Sequence, residues 1–108
     1  TQTIVYTQDV NLIYTSAIVK GSEFKSSMLI GKSDQDLYSK EDAKKLDAIK
    51  KKVLKTGKPY RDIIELKILG TTRVHDLTIR PIFVDSKVTG IACTSTDITE
   101  LSQTEKKL

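Results

Sequence analysis

The stretch Thr94-Ser95-Thr96-Asp97-Ile98-Thr99-Glu100 marks the point where a predicted β-strand ends and a predicted helix begins. Asp97 is placed to accept hydrogen bonds from the first free backbone N–H groups of the helix, and Glu100 follows at capping-box spacing. Both carboxylates lie at the positive end of the helix dipole. We therefore expect a junction between a folded body, residues 1–97, and a helix, residues 98–108, whose packing partner lies outside this chain.

Composition is typical of a single globular domain. The chain has 108 residues, of which 38% are hydrophobic and 30% are charged, and this suits one modest core. No apolar run approaches the ~18 residues of a membrane span, so we expect no membrane contact. Cys93 is the only cysteine and has no partner for an internal disulfide, which favours a reducing compartment such as the cytoplasm.

The net charge of +4 comes from one local excess of lysine. A nucleic-acid surface would interleave aromatic residues with this charge, and none occur there. We interpret the excess as a solvated helix face and expect no nucleic-acid partner. The lysines concerned are Lys40, Lys44, Lys45, Lys50, Lys51, Lys52, Lys55 and Lys58.

The first third of the chain predicts a hairpin followed by short helices. Residues 3–14 alternate as two short strands around turn residues at Asp9 and Asn11, with the second strand resuming at Leu12. Ser22 is a candidate cap for a short helix that Gly31 would end. Residues 33–36 have the spacing of a second capping box, which predicts one further helical turn.

The strongest helix signal runs from Ser39 to Thr56. Ser39 and Asp42 have capping-box spacing, Gly57 is placed for a left-handed C-terminal cap, and Pro59 prevents continuation. An apolar stripe at helical spacing predicts which face is buried. Its members are Ala43, Leu46, Ile49, Val53 and Leu54.

Three antiparallel strands are predicted between Tyr60 and Asp97. Pro81 should interrupt the ladder or mark a bulge or an edge, and Gly90 leaves room for a helix or a ligand to approach. The two early strands and the three late ones must share one sheet to bury a core. The sequence thus predicts an α+β domain: a five-stranded antiparallel sheet with short helices and one longer helix on one face, and a C-terminal exit helix.

This order of elements, with several short motifs, resembles the PAS domain over essentially the whole chain. The resemblance is to PAS sensors attached to histidine kinases. It implies a sensory or regulatory module of a cytoplasmic two-component signal-transduction protein, with any kinase activity in another domain and none here. The motifs are Tyr6-Thr7-Gln8-Asp9, Leu29-Ile30-Gly31-Lys32-Ser33-Asp34, Val53 to Pro59, Arg73 to Pro81, Gly90-Ile91 and Asp97-Ile98-Thr99.

The resemblance also implies roles for the junction. Asp97, Thr99 and the following Glu100 would transmit changes in the core to the exit helix, residues 98–108, which would be the start of a linker to an output domain outside this chain. Ile98, Leu101 and Leu108 have a spacing compatible with the start of a coiled coil, so we expect a homodimer through the body and the exit helix. The alternative is a dimerisation or protein-docking module that binds no ligand.

A pocket between the inner sheet face and the short helices is implied by the same resemblance. Among polar groups, Tyr6, Tyr60 and Ser95 are further candidates, and the Arg80 guanidinium suits a carboxylate. The alternative is that the apolar residues predicted to line this pocket form an ordinary hydrophobic core. The predicted pocket residues are Tyr14, Met28, Tyr38, Ile64, Leu66, Leu77, Ile79, Arg80, Ile91 and Cys93.

Cofactor chemistry finds little support in the sequence. In flavin-binding relatives the reactive cysteine lies in a helix within an Asn-Cys-Arg-Phe motif, whereas Cys93 lies in a predicted strand. Heme-binding relatives take a histidine from the long helix, which here has none. His75 is the only histidine, and we expect it at the surface or a sheet edge, without partners for a metal site. The ligand itself stays unknown.

Overall fold

Five strands form one antiparallel sheet in the computed structural model, which describes residues 2–21, 25–68 and 70–101. The strands lie in the spatial order β2-β1-β5-β4-β3, and each neighbouring pair is antiparallel. The predicted α+β class and the five-stranded sheet are confirmed. The strands are β1 (Thr3–Asp9), β2 (Tyr14–Lys20), β3 (Tyr60–Ile68), β4 (Thr71–Val84) and β5 (Lys87–Asp97).

The helices precede β3 and begin and end at capping residues. A 3-10 turn, Ser26–Met28, comes before α1 (Asp34–Leu37) and α2 (Lys40–Thr56). At the start of α2, the Ser39 side chain accepts from the backbone N–H of Asp42 at 3.2 Å. At its end, Gly57 has a left-handed φ of 67°. Both predicted caps of the long helix are therefore present.

The short helices are smaller than the sequence suggested. The predicted helix up to Ile30 is reduced to the 3-10 turn, and its proposed cap Ser22 lies outside the described residues. The capping box of α1 is formed, with the Ser33 backbone N–H donating to Asp36 Oδ2 at 2.9 Å. α1 therefore holds only one turn of helix, directly before α2.

The second strand begins later than predicted. Leu12 has a φ of 61° and lies in the β1–β2 turn, where Asp9 Oδ1 accepts from the backbone N–H groups of Asn11 and Ile13. These bonds stabilise a turn instead of a strand. β2 then extends to Lys20, which pairs with Thr3, because this segment completes the ladder along β1.

Pro81 lies at an edge of the sheet, as predicted, whereas Gly90 has a different neighbour from the one expected. β3 begins at Tyr60, opposite Ile79, so Pro81 lies where β4 has a free edge, and the missing N–H interrupts no pairing with β3. The register shift comes next, between Ile82 and Phe83. A Cβ on Gly90 would lie 2.4 Å from the carbonyl oxygen of Gln8, so the adjacent strand occupies the space predicted for a helix or ligand.

One core lies between α2 and the inner face of the sheet, which is the face that α2 covers. β5 contributes Ile91 and Cys93, β4 contributes Leu77 and Ile79, and all four are almost fully buried. Among the described residues, no helix combines the length and apolarity needed to cross a membrane. Further core members are Tyr6, Leu12, Tyr14, Leu29, Leu46, Val53, Ile64 and Leu66.

Candidate functional site

A buried ion pair lies inside this core. Lys50 Nζ is 2.7 Å from Asp34 Oδ2, and the two side chains are 0% and 5% exposed. The Tyr14 hydroxyl donates to the other carboxylate oxygen of Asp34 at 2.6 Å. A buried carboxylate and ammonium persist only when each has partners, so the three side chains form one unit that joins α1, α2 and β2.

Two aromatic rings flank the Lys50 ammonium. Its Nζ lies 4.9 Å from the ring centroid of Tyr6 and 5.6 Å from that of Tyr14. The ring centroids are 4.9 Å apart, with the planes tilted by 48°. Ring faces attract a cation most strongly when water is excluded, as it is here. We call Asp34, Lys50, Tyr6 and Tyr14 the core cluster.

The core cluster and its surroundings keep their phenols and thiol protonated. Burial, reinforced by neighbouring ionisable groups, raises the pKa of Tyr6 and Tyr14 well above the usual value. Burial also raises the pKa of the partly buried Tyr38. Cys93 lies directly opposite Tyr6 in the sheet, and burial raises its pKa to about 11. Near neutral pH these groups therefore act as neutral hydrogen-bonding groups, and the thiol is not a nucleophile.

Lys50 was missed because its charge was taken as a sign of solvent exposure. It lies four residues after Leu46 and three before Val53, and both of these are buried on the same helix face. Helical spacing alone therefore places Lys50 on the buried stripe. Asp34 was likewise interpreted only as part of the capping box predicted at residues 33–36, although its side chain is buried.

Gln8 adds an unpaired acceptor to the same face of β1. Its side chain is almost fully buried, and its Nε2 donates to the carbonyl oxygen of Leu12 at 2.9 Å. Its Oε1 is buried without a hydrogen-bond partner among the described residues. An unpaired buried oxygen is costly, so it marks a position where a further donor would be stabilising.

A cleft opens beside the core cluster. It measures about 420 Å³ and lies between the β1–β2 turn and the two helices. Leu12 and Asp34 both line it, together with Ser33, Asp47 and Lys51. Asp34 therefore pairs with Lys50 inside the core and also borders a cleft that is open to solvent.

The junction after β5 forms a second polar cluster. Asp97 Oδ1 accepts from the backbone N–H and the hydroxyl of Thr99, at 3.0 Å and 2.6 Å. Asp97 Oδ2 lies 2.7 Å from Arg73 Nη2 on β4. Burial opposes ionisation of Asp97, but the bonds from Thr99 and Arg73 outweigh it and hold the pKa of Asp97 below its usual value. We call Asp97, Arg73 and Thr99 the junction cluster.

Backbone hydrogen bonds attach the junction to both neighbours of β5. The Ile98 N–H donates to the carbonyl of Val74, and the Val74 N–H donates to the Thr99 hydroxyl oxygen at 2.9 Å. The Asp97 N–H donates to the carbonyl of Gln2. The first helical residues, Thr99–Leu101, therefore start from a point fixed to β4 and next to the beginning of β1.

His75 lies between the two clusters and is not at the surface, where we expected it. It is 3% exposed, and its Nδ1 is 2.9 Å from the Ser95 hydroxyl oxygen on β5. Its position alternates with Leu77 and Ile79 along β4, so it points into the core as they do. Burial lowers the pKa of His75 below the usual value.

Most of the predicted pocket residues meet at the inner face, but two do not. Met28 is 48% exposed on the 3-10 turn. Arg80 is exposed because it neighbours Ile79 on a strand and so points to the opposite face. Tyr60 lies at the start of β3, where its hydroxyl donates to Asp62. Those that the core brings together are Tyr14, Ile64, Leu66, Leu77, Ile79, Ile91 and Cys93, with Tyr38 packed against them.

The described part of the chain contains no cluster of histidine, cysteine and carboxylate side chains that is suited to hold a metal ion. Glu100, the third predicted transmission residue, lies in the first turn of the exit helix and is exposed. Leu101 is also exposed, and Leu108 lies outside the described residues. The predicted coiled-coil spacing therefore stays a prediction.

Comparison with known proteins gives one family and several related structures. The family model for the PAS fold matches residues 3–103. The PAS domain of a Colwellia psychrerythraea protein is 16% identical, with a TM-score of 0.75 over 91% of this chain and 87% of that one. The Cronobacter turicensis RpfR PAS domain in complex with BDSF is 18% identical, with a TM-score of 0.67 over 90% and 94%.

A third structure is longer than this chain. The Vibrio cholerae VqmA dimer, a LuxR-type receptor in the absence of its target DNA, is 18% identical, with a TM-score of 0.74. The match covers 91% of this chain but 47% of VqmA, so the chain spans about half the length of that protein. No curated protein sequence matches the chain. At these identities the structural likeness shows the fold.

Proposed function

The chain belongs to the PAS fold family, and from this premise we propose that it is the sensory module of a cytoplasmic signal-transduction protein. A small molecule or a partner changes the packing of the core, and the junction cluster passes that change to the exit helix. The observation that carries the proposal is the physical continuity between the two polar clusters along one strand, β5.

β5 supplies this continuity through alternate residues. Cys93 lies opposite Tyr6 of the core cluster, and Ser95 lies 2.9 Å from His75 through its hydroxyl. Asp97 then holds Arg73 and Thr99. Because alternate residues of a strand point to the same face, a shift of the core displaces all three together. A displacement of Asp97 changes the cap of the exit helix, and interfaces of this kind have a small number of discrete arrangements.

Relatives support a sensory role. The RpfR domain is a quorum-sensing receptor domain in complex with BDSF, and VqmA is a dimer of a receptor that has a target DNA. For this chain we propose a histidine kinase of a two-component system as the parent and a homodimer as the assembly. We assign no enzymatic activity to this module, because any catalysis would belong to another domain. We also assign it no nucleic-acid contact.

A ligand-free docking module is the second candidate, and a specific observation favours it. The side chains between the sheet and α2 form one buried cluster, and the Lys50 ammonium is buried with them. The opposite face of the sheet exposes apolar side chains, among them Val5 at 45%, Ile18 at 60% and Ile63 at 59%. A module of this kind would bind a partner or a second copy through that face.

Thermal melting against a panel of metabolites separates the two candidates. A sensor gives a saturable rise in melting temperature with at least one metabolite, because that ligand binds the folded state alone. A docking module gives no rise across the panel and forms a stable dimer. For transmission, Asp97→Ala in the parent protein should change output, whereas Asp76→Ala, which removes the exposed pair with Arg61, should not. Unchanged output from a folded Asp97→Ala protein would contradict the transmission role.

A further inference from the structure

His75 is a buried histidine with one ring nitrogen that has no partner. It is 3% exposed, and its Nδ1 lies 2.9 Å from the Ser95 hydroxyl oxygen. Its Nε2 is buried and has no hydrogen-bond partner among the described residues. A neutral imidazole has one N–H donor and one lone pair, whereas an imidazolium has two donors and a charge. The site therefore accommodates the neutral ring, because protonation would bury an unpaired donor together with a charge.

His75 lies in the part of β4 that holds the beginning of the exit helix. The residue before it, Val74, accepts from the Ile98 N–H and donates its own N–H to the Thr99 hydroxyl oxygen. Asp97 lies directly opposite His75 in the sheet. Since Val74 and His75 share a peptide bond, a backbone movement that brings the ring to water also moves Val74. Solvation of the ring and release of the exit helix therefore require the same local opening.

Burial is the largest influence on the ring and lowers the pKa of His75 below its ordinary value. Asp97 on β5 opposes this effect, whereas Arg73 on β4 adds to it. These two side chains are themselves paired at 2.7 Å, so their influences on the ring are in opposite directions. β3 places the apolar Ile64 opposite His75 and contributes no charge at that position.

α2 covers the inner face and brings two buried charges, both of which already have partners. Lys50 is paired with Asp34 at 2.7 Å. The Asp42 carboxylate accepts from the backbone N–H of Lys67, also at 2.7 Å. Within the described part of the chain, an imidazolium at His75 would therefore gain no buried carboxylate that is still unpaired.

We propose that His75 is a proton-binding site that couples acidification to release of the exit helix. A lone pair of the ring takes a proton from solvent when β4 opens locally, because the imidazolium needs water around it. The same opening breaks the bonds from Val74 to Ile98 and Thr99. This inference rests on the proposed sensory function and adds a stimulus, the proton, and the group that receives it.

His75 is the only histidine, so the range from about pH 7 to 5 isolates its titration. Amide hydrogen exchange of the 108-residue chain is followed by NMR across this range, with rates corrected for intrinsic exchange. The open form binds the proton and the closed form does not, so Thr99 protection should fall below the ordinary value of about 6.5, by up to about tenfold per pH unit. Asp97, which accepts from the Thr99 amide, has a lowered pKa and stays ionised in this range.

The ring itself gives a second measurement that needs no variant. The carbon-bound protons of the His75 ring report its protonation in the folded chain. We expect their titration midpoint to lie below the ordinary value of about 6.5, because the closed form resists the proton. This measurement and the Thr99 exchange of the wild type decide the proposal even if a variant does not fold.

Two variants assign the pH dependence to the ring. His75→Asn keeps an amide that can bond to the Ser95 hydroxyl but cannot titrate, so Thr99 protection should stay constant from about pH 7 to 5. Asp76→Asn is the matched control on the same strand. It removes the exposed pair with Arg61, leaves the histidine in place, and should keep the pH dependence of the wild type.

Thr99 protection that does not change with pH, a His75→Asn variant that keeps the dependence, or a ring midpoint at or above about 6.5 would overturn the proton-binding proposal. The sensory role would then still be supported by a metabolite that raises the melting temperature. Acidification that releases Thr99 without changing output of the parent protein would support the proton-binding proposal and contradict the transmission role. The two proposals therefore fail in different ways.

Discussion

Asp34 and Asp97 are both paired with a cation at 2.7 Å, yet their surroundings differ. The partner of Asp34 is a lysine with a fully buried side chain, whereas the partner of Asp97 is an arginine side chain that is 36% exposed. The first pair joins α1 to α2 inside the core. The second joins β5 to β4 at the beginning of the exit helix. The same kind of ion pair is thus fully buried in the core in one place and partly exposed at a strand–helix junction in the other.

The largest effect is expected from breaking the core pair. Lys50→Met leaves the Asp34 carboxylate buried without its counter-ion, which should lower the free energy of unfolding by about 3–5 kcal/mol. Urea unfolding measures this loss. Adding Asp34→Asn should recover most of it, while Lys51→Met should change stability by less than about 0.5 kcal/mol. Equal losses of unfolding free energy in Lys50→Met and Lys51→Met would show that the buried pair contributes no more to stability than the surface pair.

A smaller effect is expected from the junction pair. Asp97→Asn removes the charge that accepts from Thr99 and Arg73, and should lower the free energy of unfolding by about 1–2 kcal/mol. Urea unfolding gives the global change, and hydrogen exchange of the Thr99 amide gives the local one. Asp76→Asn is the control, because its partner Arg61 is exposed and such pairs contribute about 0–1 kcal/mol. If Asp97→Asn lowered the free energy of unfolding as much as Lys50→Met does, the expected difference in stability between the two clusters would be wrong.

The junction pair should also depend on pH with a definite sign. The pKa of Asp97 is lower in the folded chain, so its charge stabilises the fold above the ordinary value of about 3.9. That contribution is lost as the pH falls through the folded-state pKa. The stability difference between the wild type and Asp97→Asn should therefore be constant from neutral pH to about pH 5 and shrink below it. A difference that grows on acidification would have the wrong sign.

The smallest predicted effect concerns His75, between the two clusters. Its pKa is lowered in the folded chain, so the unfolded chain binds the proton more readily. Stability should decline as the pH falls from 7 through the ordinary value of about 6.5. His75→Asn should remove this decline, since it is the only histidine. Unfolding of both proteins at pH 7 and pH 5.5 measures it, and parallel curves would mean that His75 does not titrate on unfolding.

Local rules predicted the elements of this fold well. Ser39, Asp42 and Gly57 set the limits of α2 through interactions with nearby backbone, so their sequence spacing sufficed. Contacts between distant residues were harder to predict. Gly90 faces the Gln8 carbonyl of another strand, and no local pattern in β5 reveals that neighbour.

The core cluster was missed for the same reason. Lys50 occupies a position on the apolar stripe of α2, but its charge suggested solvent, and its partner Asp34 lies in a different helix. Helical spacing contained the signal, since a charged residue on a buried stripe requires a counter-ion. The junction was easier to predict, because Asp97 and Thr99 are only two residues apart and the Thr99 hydroxyl donates a hydrogen bond to the Asp97 carboxylate.

The central claim is that the core cluster and the junction cluster are coupled along β5. Hydrogen exchange of the Thr99 amide, which donates to Asp97, tests it most directly. The measurement compares the wild type with the double variant Asp34→Asn and Lys50→Met. The account predicts that the double variant changes Thr99 protection by more than its global stability explains. Protection that follows global stability alone would contradict it.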